Sequence, residues 1–76
     1  MVVAFVSVRV EPGMDGAVLS KVRTFKEVKE AISTYGMYDL LLKVEVGSLN
    51  DLDRFIFENL RKIPSVKETV TVIARG

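Results

Sequence analysis

RTFKEVKEAIST at residues 23–34 and RKIPSVKETVTV at residues 61–72 follow one pattern. Each has an arginine, an apolar residue two positions later (Phe25, Ile63) and then the tripeptide Val-Lys-Glu. A β-branched residue and a hydroxyl follow in register, as Ile32-Ser33 and Val70-Thr71. The offset is 38 residues (61 − 23 = 38), half of the 76-residue chain. The same shift places Val6 on Val44, Val8 on Val46, Val18 on Ile56 and Val22 on Leu60. Stacked repeat arrays need about three or more units, so a long unit seen twice reads as a duplicated supersecondary element.

Each unit parses as strand, helix, strand. VVAFVSVRV (2–10) alternates, is rich in β-branched residues and predicts a strand, which Glu11-Pro12-Gly13 breaks. Apolar residues at 14, 18 and 22 recur every four and predict a helix from Met14 to about Arg23, weakened at its start by Gly16. Val28 to Tyr35 alternates again as a second strand. In the second unit, Asp39 to Val46 predicts a strand. Ser48 followed by Asp51 resembles a capping box, and apolar residues from Leu49 to Ile63 keep helical spacing until Pro64 stops the helix. Val66 to Ala74 predicts the last strand.

Two right-handed βαβ units joined by a short turn make the ferredoxin-like, or split βαβ, arrangement. The expected fold class is α+β: a βαββαβ sandwich with a four-stranded antiparallel sheet and both helices on one face, as a single domain over residues 1–76. Strands one and three are expected side by side in the centre and parallel to each other, with strands two and four at the edges. The second sheet face is then bare, with Val3, Phe5, Leu41 and Tyr35 as candidates to line it. An open apolar sheet face on so small a domain predicts pairing with another copy.

Composition narrows the function. The chain has no cysteine and no histidine, which removes disulfides, thiolate metal sites and imidazole chemistry. No metal, cofactor or catalytic residue is expected. Hydrophobic residues make up 49% of the chain, and the surplus points to a subunit interface. Eleven basic and ten acidic residues leave a net charge of +1, which does not promise a phosphate-binding face. The strands also lack the paired aromatics on which an RNA-recognition sheet stacks bases. No apolar run reaches the ~18–20 residues of a membrane span. The absence of cysteine and of an export signal fits a cytoplasmic location.

Two groups of residues stand out. TYGMYDLLLKV (34–44) puts a carboxylate at the mouth of an apolar strand. On one reading Gly36 serves the hairpin with a positive φ and Asp39 bonds nearby backbone donors. On the other, the N–H groups of Gly36, Met37 and Tyr38 receive a ligand carboxylate while Asp39 pairs with an ammonium. A zwitterionic amino acid matches that pair, and Asp39→Ala is expected to abolish its effect with the fold intact. The second group, Thr69 and Thr71, lies on one face of the last strand. These threonines either finish an exposed edge strand or offer hydroxyls to a polar ligand. Lys26, Glu27, Lys29 and Glu30 read as a solvated charged edge.

Over its whole length the chain resembles the effector-binding (RAM) domain of the Lrp/AsnC, or feast/famine, transcription regulators. The likeness rests on VRVEPG (8–13), Gly36-x-Tyr38-Asp39, LRKIPSV (60–66) and Thr69-x-Thr71. It implies dimerisation through the sheets, higher assembly of dimers, and an amino-acid effector held between dimers. Gly36, Met37, Tyr38, Asp39, Thr69 and Thr71 would line that site. Met37 replaces the polar residue often found there. The first strand begins at Val2, so the chain looks like a stand-alone version without the helix-turn-helix. It is expected to bind no nucleic acid or membrane itself and to co-assemble with DNA-binding relatives. The alternatives are a ligand-independent oligomerisation module, an ACT-like module joined edge to edge, and an acylphosphatase-like enzyme. The last lacks an arginine in its 11–16 turn.

Overall fold

The computed structural model describes residues 1–75. Its elements are β1 (Val2–Val10), α1 (Asp15–Val22), β2 (Val28–Ser33), β3 (Leu40–Val46), α2 (Leu49–Phe55) and β4 (Val66–Ile73), with a π-helical segment, Ile56–Leu60, continuing α2. The sheet order is β2-β3-β1-β4, and every neighbouring pair is antiparallel. The expected parallel alignment of strands one and three is therefore wrong. Each βαβ unit returns its second strand in the direction of its first, so β1 and β2 share a direction. The hairpin after β2 then reverses the chain, and β3 runs against β1.

Alternation in the central strands selects the core. Ala4, Val6, Val8 and Val10 of β1 and Leu40, Leu42, Val44 and Val46 of β3 are buried, on the face that the helices cover. Val18 and Val22 of α1 meet them, as do Leu52, Phe55, Ile56 and Leu60 of the second helical stretch. Complete burial of a side chain of this size contributes ~1.5–3 kcal/mol. Phe25, in the α1–β2 connection, sets its ring edge-on to Phe55 at 5.5 Å and closes the end of this core.

The helices begin and end as their residues dictate. Ser48 Oγ accepts a hydrogen bond from Asp51 N at 3.2 Å, so α2 starts with a side-chain cap. Met14 offers α1 no such cap, and Gly16 lies in its first turn, which agrees with its length of only 8 residues. The helix expected to run to Ile63 is shorter in its regular part. It widens after Phe55, where Arg61 N donates to Ile56 O at 2.8 Å. Ile56 and Leu60 both remain on the buried side.

The opposite face of the sheet is uncovered. Cross-strand partners share a face, so the register sets Ile32, Leu41, Ser7 and Val70 in one row and Lys43, Phe5 and Val72 in the next. Val72 is 62% exposed, Ile32 52% and Phe5 40%. Val3, Phe5 and Leu41 lie here as expected, but Tyr35 does not. It stands in the hairpin turn, fully exposed, because β2 stops at Ser33.

Candidate functional site

The turn between β2 and β3 is closed from inside. Thr34 N donates to Asp39 O at 2.9 Å, and Thr34 Oγ1 donates to Tyr38 O at 2.8 Å. Gly36 has φ +118°, a conformation that side-chain-bearing residues rarely adopt. A Cβ there would meet nothing within 4 Å, so the backbone conformation demands the glycine and crowding does not. Met37, at the tip, is exposed.

Tyr38 and Asp39 turn back toward β1. Asp39 N donates to Val8 O at 2.8 Å, and Asp39 Oδ2 accepts from Val10 N at 2.8 Å. Val8–Leu40 is the last β1–β3 pair. One residue pair beyond it the carboxylate supplies the acceptor that β3 backbone no longer offers. Asp39 therefore bonds a backbone donor, as one reading of the sequence expected, but the donor lies on β1 and not in its own hairpin. Asp39→Ala would also strip Val10 N of its acceptor, so a loss of stability is expected alongside any loss of ligand response. That bond uses one of the two carboxylate oxygens. The half-buried Tyr38 ring lies 5.4 Å from the Arg9 guanidinium carbon.

Thr69 and Thr71 pair with Val8 and Val6. Their half-buried side chains therefore lie on the helix side of the outer strand, with β1 between them and the turn. Gly36 and Met37 are exposed and Tyr38 and Asp39 half-buried, and the two threonines are held apart from them by β1. A cleft of about 520 Å³ is lined by Lys26, Lys29, Arg54 and Phe55 among others, and another of about 420 Å³ by Lys21, Phe25, Ile63 and Pro64 among others. None of the six candidate residues lines either.

The neighbours that sequence reasoning missed are Arg9 and Glu68. Arg9 Nη2 lies 3.4 Å from Glu68 Oε1 on the bare face of the sheet, with its guanidinium over Tyr38. A single charge in an otherwise uncharged first strand was the available signal.

The profile of the Lrp/AsnC ligand binding domain matches residues 3–75. An uncharacterised HTH-type transcriptional regulator of Pyrococcus horikoshii is 36% identical over 72 residues, covering 95% of this chain and 46% of that protein. The chain thus spans about half the length of this curated relative. The crystal structure of FFRP-DM1 superposes with a TM-score of 0.96 at 45% identity, covering 99% of this chain and 100% of the other. A transcriptional regulator of Neisseria meningitidis, solved as a complex with L-Met, covers 99% of this chain and 50% of its own, with a TM-score of 0.88. At 21% identity that likeness shows the fold alone. A homocitrate synthase of Sulfurisphaera tokodaii matches at 36% identity over 90% of this chain but only 15% of the enzyme. With this profile covering nearly all of its residues on a ferredoxin-like fold, the chain belongs to the Lrp/AsnC family as a ligand-binding domain of transcription regulators.

Proposed function

We propose that this domain binds an amino acid at a seam between copies of itself and that binding shifts its state of assembly, as part of a transcription-regulatory system. The observation that carries the reading is the 36–39 turn: exposed Gly36 and Met37 beside a carboxylate, with the bare sheet face of Phe5, Ile32, Val70 and Val72 on the same small domain. The apolar face supports pairing with a second copy. The turn would offer main-chain donors to a carboxylate, and the second oxygen of Asp39, which accepts no hydrogen bond among the described residues, would take an ammonium. Thr69 and Thr71, set apart from the turn in one chain, would join the site from a neighbouring copy. The L-Met bound by the Neisseria regulator is in line with an amino-acid ligand.

Charge-assisted hydrogen bonds screened from water contribute ~1.5–3 kcal/mol each. Two or three would place a small metabolite in the micromolar to millimolar range. A ligand lodged at a seam stabilises the arrangement that forms its pocket. The test is a melting scan against the common amino acids, since a ligand at about 100 times its Kd adds ~2.7 kcal/mol. No shift with any amino acid would contradict the proposal.

One observation favours a second reading. Asp39 Oδ2 is already engaged by Val10 N of β1, a role in the sheet that needs no ligand. On that reading the domain oligomerises, with itself or with DNA-binding relatives, without a ligand. Its assembly would then be insensitive to amino acids, which the same scan detects.

A further inference from the structure

The Gly36–Asp39 turn leads into β3 while Thr69 and Thr71 lie on β4, so β1 separates the two halves of the candidate site. One side chain of β1 contacts both flanking segments, on the bare face of the sheet and not on the face of the two threonines. Arg9 is the sole charged residue of that strand. Its Nη2 is 3.4 Å from Glu68 Oε1, one residue before Thr69, and its guanidinium carbon is 5.4 Å from the centre of the Tyr38 ring. The β1–β4 register shifts between Arg9 and Val10, an irregularity of the kind that re-aims side chains. The next residue, Val10, donates to Asp39. Two consecutive residues of β1 therefore hold two consecutive residues of the turn.

The packing has a visible cost. Arg9 Nε is buried and has no hydrogen-bond partner among the described residues, although a buried donor is normally satisfied. The Arg9–Glu68 pair is half-exposed and contributes little to stability by itself. The ion pair alone gives little reason for a guanidinium here with one donor unmet, and the Tyr38 ring supplies a second contact.

We infer that Arg9 is a positioning residue: it clamps the Tyr38 ring and ties the 36–39 turn to Glu68 of β4 across the bare face, so that the turn keeps one geometry. The inference deepens the amino-acid-binding reading and rests on it for its functional consequence, while the clamp itself is measurable without ligand.

The chain has two tyrosines and no tryptophan, and Tyr35 is fully exposed at the turn. In a Tyr35→Phe background, fluorescence reports Tyr38 alone. Arg9→Met keeps the apolar stem and removes the guanidinium; Arg9→Lys keeps the charge without the planar face. Both variants should raise acrylamide quenching of Tyr38 about twofold, because neither stacks as a guanidinium does. Both should also weaken binding of whichever of L-methionine, L-leucine or L-aspartate shifts the parent protein, by about tenfold, while the ligand-free melting temperature moves by less than about 4 °C. Unchanged quenching in Arg9→Met overturns the clamp. Should Arg9→Met fail to fold, unchanged quenching in Arg9→Lys overturns it equally. Altered quenching with no amino-acid response in the parent protein leaves the clamp standing and refutes its role in ligand binding.

Discussion

Asp39 carries two proposed duties, and a pair of substitutions separates them. Asp39→Ala removes the acceptor of a 2.8 Å hydrogen bond that joins residues 29 apart in the chain. Val10 is buried, so its N–H would lose its partner with little water to replace it. A hydrogen bond to a charged group contributes ~1.5–3 kcal/mol, and the partial exposure of Asp39 argues for the lower end, ~1.5–2 kcal/mol. For a domain of this size the melting temperature should fall by roughly 6–16 °C. Asp39→Asn keeps an amide oxygen for Val10 and gives up only the charge assistance, so its loss should stay below about 1 kcal/mol. The assay is urea unfolding at fixed protomer concentration, since an associating protein gains apparent stability with concentration. Asp39→Ala within about 0.5 kcal/mol of the parent would refute the structural duty. The ligand duty is tested by the same pair: Asp39→Asn should lose the amino-acid response despite near-parental stability, because an ammonium requires the charge. An Asp39→Asn protein that responds like the parent would remove Asp39 from the site.

Gly36→Ala, at φ +118°, should cost about 1–3 kcal/mol through backbone strain alone, because a Cβ there has open space; a neutral result in urea unfolding would mean the turn relaxes freely. Leu60→Ala, at a fully buried position, should cost ~2.7–5 kcal/mol, a large part of what 76 residues hold, and thermal unfolding checks it. Val72→Asp on the bare face should dissociate copies without lowering helix content, as read by gel filtration with circular dichroism. An unchanged elution volume would remove that face from the interface.

The duplicated pattern made the two βαβ units legible, and alternation placed β1 at residues 2–10 as observed. Ser48 marked the start of α2 correctly, because a cap is a local feature. Errors arose where three-dimensional direction matters. Spacing does not display that the hairpin reverses β3 relative to β1. For the same reason the Asp39–Val10 bond was invisible, since it depends on where the β1–β3 ladder ends. Thr69 and Thr71 were rightly grouped on one side of a strand, but which side required the pairing with Val8 and Val6. Arg9 was passed over because eight uncharged neighbours made the strand look like core. Its partners lie on two other segments, Tyr38 and Glu68.

Light scattering of the purified chain in dilute solution, with and without each amino acid, is the most direct test. The expected mass is at least twice the 8.5 kDa of one chain, with a change in mass or melting temperature for at least one amino acid. A mass of 8.5 kDa under every condition would contradict it, because the bare sheet face would then be exposed to water with no seam to hold a ligand.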